Sequence, residues 1–301
     1  MGRIGFYIFY GINWLITLMP LKVLYLFSDL FFILLYYFPG YRKKIVRENL
    51  INAFPEKPSK ERLTIEKKFY RHLADIFVET LKLTHMNNRQ LMKRFRLVNP
   101  ENIEKFYESG RDIAILVGHY NNWEWLVAIS LYTHYKNVCI YKPLQNKNFD
   151  RFMFNLRSRN GIEMVPMSKI ARSIIVNRKK NIRAMYAFLA DQTPAKPDIR
   201  YWTRFLNQDT PVYLGPEKIA VKYDMPVVFL NVQKTGRGYY TVTSEILVEN
   251  LSGLPEFTVT EIYTRRLEEI VCSKPEFWMW SHRRWKHKKP FINANDSSRD
   301  S

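Results

Sequence analysis

The chain has 301 residues, with 47 Lys and Arg against 28 Asp and Glu, a formal charge of +19. Its length suits one large α/β domain or two small ones. Its charge implies an anionic partner, whether phospholipid, acidic protein or nucleic acid. Two cysteines, Cys139 and Cys272, exclude a disulfide framework, and no metal-ligand spacing accompanies them. Both read as buried thiols in a reducing compartment, and no metal or cofactor is expected.

Ile4 to Leu21 contains no charged residue. At about 1.5 Å per residue, one helix there would just cross a bilayer. A second apolar run, Val23 to Phe38, is broken by Ser28 and Asp29, and Arg42, Lys43 and Lys44 close the region. Residues 1–44 thus read as a membrane-anchoring segment. Either Ile4–Leu21 spans the membrane, with the basic cluster holding the rest on the cytoplasmic side, or both runs lie in the interface as apolar helices. No small-x-small cleavage site precedes the second run, which argues against a signal peptide.

Residues 45 to about 95 read as helical, broken at Pro55 and Pro58. Ile65, Phe69, His72, Leu73, Ile76, Phe77, Thr80 and Leu81 form the apolar stripe, on which His72 is a packed core histidine. Asn99-Pro100 opens a short helix that ends at Ser109-Gly110. Strands are expected at 112–118, 137–141, 162–165, 184–190, 226–233 and 239–247. Helices are expected at 120–133, 148–159, 168–179, 212–223 and 258–273. This alternation predicts an α/β fold, a sheet covered by helices and mostly parallel. A hairpin at Thr235-Gly236-Arg237-Gly238 makes the sheet mixed. The main domain runs over 45–289, and 290–301 is a polar, disordered tail.

The chemistry gathers at Gly118-His119-Tyr120-Asn121-Asn122-Trp123-Glu124. His119 falls between the strand Ile113–Val117 and a helix start, with Gly118 allowing a sharp turn. An imidazole there is placed to take a proton from a hydroxyl. Glu124, in the first turns of the helix, would bind the other ring nitrogen and fix the tautomer. The spacing alone also fits a histidine satisfied by hydrogen bonds at a strand end. Ligands of open α/β sheets gather at the carboxyl ends of strands. Lys142-Pro143 and Asp191-Gln192-Thr193-Pro194 fall at such ends too, so three polar groups should converge on one crevice.

His119-x4-Glu124 resembles the first motif of the glycerolipid and lysophospholipid acyltransferase superfamily, and the details resemble the late acyltransferases of lipid A biosynthesis. Tyr141-Lys142-Pro143-Leu144-Gln145-Asn146 is similar to their Tyr-Arg-Pro…Asn segment, with Lys142 in place of arginine. That change loses the bidentate fork of a phosphate clamp. Arg157-Ser158-Arg159-Asn160-Gly161 resembles their Arg-x-x-x-Gly stretch. Ala190-Asp191-Gln192 resembles their Asp block, and Phe205–Ala220 the block that follows. Phe277-Trp278-Met279-Trp280-Ser281-His282-Arg283-Arg284-Trp285-Lys286 resembles their C-terminal signature.

The resemblance implies a bacterial inner-membrane enzyme with its catalytic domain on the cytoplasmic side. Such an enzyme transfers a fatty acyl chain from acyl carrier protein to a hydroxyl of a lipid A precursor, without a cofactor or metal. His119 and Glu124 are then catalytic, and Lys142, Asn146, Arg157, Arg159, Asp191 and Gln192 are substrate-binding candidates. The basic, aromatic segment from His282 to Lys289, with Trp278, Trp280 and Trp285, would face lipid or dock the carrier protein. A lysophospholipid, glycolipid or aminolipid acceptor stays open. So does a nonenzymatic membrane or nucleic-acid binding protein, although no nucleic-acid motif occurs and nucleic acid is not the expected partner.

Overall fold

The computed structural model describes residues 3–38 and 40–290, the side chain of Arg3 excepted. Residues 291–301 of the expected tail lie outside these. The N-terminal apolar stretch is two helices, α1 (Arg3–Ile16) and α2 (Leu21–Tyr37). Pro20 lacks an N–H and stands at the N-cap of α2, so a single helix from Ile4 to Leu21 cannot form. Among the described residues no helix is long and apolar enough to cross a membrane, which corrects the spanning reading. One face of α2, with Leu24, Tyr25, Ser28 and Phe32, is buried, while Leu26, Leu30 and Leu34 are exposed.

Next come α3 (Lys43–Ala53), α4 (Ser59–Lys82), α5 (Asn88–Arg94), β1 (Phe95–Leu97) and α6 (Glu101–Glu108). α4 is buried on most of its circumference. Phe77, expected on its apolar stripe, is exposed, and its ring lies 4.8 Å from that of Phe31. His72, Asp75 and Glu79 are buried instead, because the next layer supplies partners for them. His72 is thus a core histidine, as the stripe suggests.

From there strands and helices alternate: β2 (Ile113–Val117), β3 (Lys136–Tyr141), α7 (Lys147–Arg157), β4 (Glu163–Pro166), α8 (Ile170–Lys179) and β5 (Ala184–Leu189). Then follow β6 (Trp202–Phe205), β7 (Gln208–Pro211), α9 (Gly215–Lys222), β8 (Val227–Gly236), β9 (Tyr239–Val248) and α10 (Thr258–Ser273). The main sheet has the order β1-β9-β8-β2-β5-β3-β4. Only β8 and β9 pair antiparallel; every other neighbouring pair is parallel. A mixed, mostly parallel sheet flanked by helices is therefore what the alternation foretold. β2 is buried at every position, as expected of a central strand covered on both faces.

Three local expectations change. The segment 120–133 is not an α-helix: it is 3₁₀-helical over Trp123–Leu131. The chain is still turning at Asn121, whose φ is 54°, and β-branched Val127 and Ile129 are poor α-helix formers. The β6–β7 hairpin was not foreseen. It turns through Leu206 and Asn207, both at positive φ (49° and 61°), as two-residue hairpin loops require. Both cysteines are free, but Cys272 is exposed on α10 and Cys139 only half-buried.

Candidate active site

β2 and β5 are parallel neighbours, with Val117 opposite Leu189. Their carboxyl ends therefore lie side by side, and two residues beyond them come His119 and Asp191. The backbone N–H of His119 donates to Asp191 Oδ2 at 2.8 Å, and ring Nδ1 meets Oδ1 at 2.6 Å. The indole Nε1 of Trp278 also donates to Oδ2, at 2.9 Å. Burial alone would raise the Asp191 carboxyl. At the acid pH where it titrates, the protonated His119 ring, its two hydrogen bonds and the indole outweigh that and hold it down at about 2. An acceptor-only carboxylate at Nδ1 places the ring proton there. Nε2 is then left as a lone pair, which receives the amide of Gln192 at 3.0 Å. The imidazole is thus held in one tautomer, with Nε2 facing Gln192 rather than a carboxylate.

Gly118 has a different role from the expected one. Its φ is not left-handed, and the turn comes at Asn121. A Cβ at Gly118 would lie 2.8 Å from Leu267 Cδ1 and 3.5 Å from Asp191 Oδ2, so a side chain there would have to displace the tip of Leu267 that packs behind the histidine.

Glu124 does not bind His119, which corrects the expected dyad geometry. Its carboxylate accepts Nε of Arg157 at 2.8 Å and a terminal guanidinium nitrogen at 2.5 Å. The indole N–H of Trp123 donates to it at 3.2 Å, and the Trp123 ring lies 5.2 Å from that of His119. The five-residue spacing turns Glu124 away toward α7, while Asp191, far off in sequence, takes the Nδ1 position. Burial opposes the charge on Arg157, but Glu124 outweighs it and raises the guanidinium. Arg157 is thereby a fixed cation, separated from His119 by the Trp123 indole.

The other candidates divide. Gln192 sits on His119. Lys142, past the end of β3, is exposed and makes no ion pair among the described residues. Asn146 caps α7, its Oδ1 accepting the N–H groups of Asn148 and Phe149 at 3.2 and 3.1 Å. Arg159 donates to the carbonyls of Leu83 and Met86 at 2.8 and 2.6 Å. These two therefore organise the backbone rather than standing open to a ligand. Among the described residues no cluster of His, Cys, Asp and Glu is arranged to hold a metal ion.

The model of the family described as bacterial lipid A biosynthesis acyltransferase matches residues 1–287. The chain belongs to that family. It is an acyl-transferring enzyme. No match is found among curated proteins.

The acyltransferase uses its C-terminal signature differently from the lipid-facing role expected of it. Trp278, Trp280 and Trp285 are buried, because each indole N–H finds an internal acceptor: Asp191, Pro275 O and Thr210 Oγ1. The segment is stitched to the site, since Asn121 N donates to Phe277 O and Met279 N to His119 O. Asn49 on α3 holds the carbonyls of Trp280 and His282 at 2.8 and 3.0 Å. Arg284 is 2% exposed and donates to Pro211 O at 2.7 Å. Burial pulls its guanidinium down to about 10, even with Asp191 favouring the charge. The tryptophans and Arg284 thus form a structural wedge behind Asp191, while Arg283, Lys286, Lys288 and Lys289 of the same segment stay exposed.

His282 accepts the N–H of Thr193 through Nε2 at 3.2 Å, and burial lowers it to about 4 despite Asp191. His72, wholly buried beside Lys234, is also pushed well below 6.5. A depressed histidine makes the unfolded chain bind the proton first, so its stability contribution is full above about 6.5 and declines as pH falls toward about 4. Asp191, also depressed, acts lower, between its ordinary 3.8 and about 2. We expect the denaturant midpoint to drop between about pH 7 and about pH 4.5, and to drop less in His282→Gln. An equal drop in both proteins would contradict the assignment.

Behind the turn after His119 lies a further buried carboxylate, which sequence reasoning missed. Glu79 on α4 accepts Tyr25 Oη at 2.7 Å, Tyr240 Oη at 2.8 Å and Asn122 Nδ2 at 2.6 Å. Asn122 in turn caps the 3₁₀ segment by accepting the N–H of Trp125 at 3.1 Å. α2, α4, β9 and the turn after His119 thus meet on one side chain.

Proposed function

We propose that this acyltransferase moves a fatty acyl chain from the thioester of acyl carrier protein to a hydroxyl of a lipid A precursor, at the cytoplasmic face of a bacterial inner membrane. The single observation that carries the chemistry is His119, with Nδ1 committed to Asp191 and Nε2 left as the base. The acceptor hydroxyl replaces Gln192 at Nε2 and gives up its proton as its oxygen attacks the thioester carbonyl carbon. The tetrahedral oxyanion collapses, the C–S bond breaks, and the proton on Nε2 passes to the departing thiolate. An ester and a free thiol result, so no enzyme nucleophile is needed. Asp191 stabilises the transient imidazolium. Arg157, kept charged by Glu124, is the cation available to the developing oxyanion.

The partners are argued from charge and surface. A protein with 47 basic and 28 acidic side chains suits both an acidic carrier protein and a phosphorylated lipid. Leu15 is 61% and Leu26 69% exposed, and Ile4, Ile8, Leu18, Leu30 and Phe38 are more than half exposed. So much uncovered apolar surface on α1 and α2 supports helices lying in a membrane interface. Leu15→Glu with Leu26→Glu is expected to weaken vesicle binding by at least about tenfold while the protein stays folded. Unchanged co-sedimentation would contradict the interfacial seat.

The reaction is tested by offering acyl carrier protein and coenzyme A thioesters against a tetra-acylated lipid A precursor and a lysophospholipid. The expected result is one acyl chain gained by the precursor from the carrier protein. Preferential acylation of the lysophospholipid would move the acceptor, and preference for coenzyme A would move the donor.

A further inference from the structure

An open groove of about 490 Å³ runs between α1 and α7, outside the His119 site. That lies within the about 300–1,000 Å³ of pockets that hold drug-sized ligands. One wall is aromatic, from Phe6, Tyr7 and Tyr10 of α1, and the facing wall includes Phe152 and Leu156 of α7. Neither His119 nor Asp191 lines it.

Two guanidinium groups line the groove, and only that of Arg151 is open to a ligand. Arg151 is exposed at its edge and makes no ion pair among the described residues. Arg159 bonds only neutral carbonyls, those of Leu83 and Met86, so no carboxylate cancels its charge. A trough with an aromatic wall and one exposed, unpaired guanidinium at its edge complements an amphiphile with apolar chains and a phosphate. Its position selects which one. α1 carries the exposed apolar surface, and the last turn of α7 carries Arg157, which grips Glu124 beside the base. A lipid sliding along α1 would reach the site from the bilayer, whereas the donor chain arrives on a soluble protein.

We propose that the groove seats the lipid acceptor, its chains between α1 and α7 and its phosphate on Arg151. This rests on the acyl-transfer reading above. The test uses a diazirine-bearing tetra-acylated lipid A precursor in phosphatidylcholine vesicles, with the full chain, and reads both photolabelling and turnover. Label is expected in the peptides 3–16 and 147–159. Asn155→Trp, a bulky residue at an exposed groove position, and Arg151→Glu should each reduce it. In steady state both should raise the acceptor KM by about tenfold or more, the loss of one charge-assisted contact. The donor KM and kcat should hold, and Arg151→Lys should keep part of the affinity.

Label elsewhere, labelling displaced by phosphatidylglycerol as well as by unlabelled precursor, or a rise in donor KM instead would each overturn the acceptor seat. Normal thermal unfolding of both variants excludes misfolding as the cause. Label in the groove without any acyl transfer would support the seat and overturn the reaction, so the two failures are distinct.

Discussion

Asp191→Asn is expected to lower kcat by about 10³–10⁴-fold with the fold intact, the scale seen when a histidine base is held in the wrong tautomer. The carboxylate accepts three N–H groups: the backbone and ring of His119 and the indole of Trp278. An amide has one oxygen. If that oxygen keeps Trp278 and the backbone, its NH₂ faces Nδ1 and drives the ring proton to Nε2. The atom that must accept the hydroxyl proton then already carries one. Glu124 acts by a separate route, through Arg157. The losses from Glu124→Gln and Arg157→Gln should therefore overlap in the double variant, because the two act as a unit. Losses from Asp191→Asn and Glu124→Gln should combine closer to additively. The reverse pattern, with Asp191 and Glu124 overlapping, would restore the dyad read from the motif spacing.

Glu79→Ala is expected to cost about 3–5 kcal/mol, because Tyr25, Tyr240 and Asn122 each lose an acceptor in the interior and every stranded donor costs about 1–3 kcal/mol. The carboxylate is fully buried. Burial pushes its pKa up, and the hydroxyls of Tyr25 and Tyr240 offset part of that. The melting temperature should fall by about 6–20 °C, taking about 2–4 °C per kcal/mol for a large domain. Glu79→Gln should lie between, since Asn122 and Tyr240 share Oε2 and only one amide oxygen remains. Calorimetry on the three proteins checks this. Losses below about 1 kcal/mol in Glu79→Ala would show that water or a rotated neighbour satisfies the donors.

Local pattern made the sheet legible. Ile113–Val117 and Ala184–Leu189 are apolar runs of strand length, and the polar residues just past them fall where a parallel sheet gathers its ligands. His119 and Asp191 followed from that rule. Which carboxylate meets the imidazole did not, because Asp191 lies 72 residues away and Glu124 only five along the chain. Spacing favours the nearer group, whereas the pairing of β2 with β5 delivers the farther one. The C-terminal tryptophans misled for a related reason. Aromatic and basic residues together describe a membrane interface and a polar-stitched core equally well, and only the acceptors waiting at Asp191, Pro275 and Thr210 decide between them. On α4, His72, Asp75 and Glu79 repeat at helical spacing on a buried face, but a hydrophobic pattern is blind to charged side chains. The β6–β7 hairpin was hidden because its two strands are only four residues each and Arg204, Gln208, Asp209 and Pro211 dilute their strand signature.

The most direct measurement is acyl transfer by wild type and His119→Ala in vesicles, with acyl carrier protein thioester and lipid A precursor at saturation and product mass followed over time. One added acyl chain in wild type, with the rate at least about 10³-fold lower in a folded His119→Ala protein, is the expected result. Transfer by His119→Ala at the wild-type rate would contradict the central assignment and move the base elsewhere in the site.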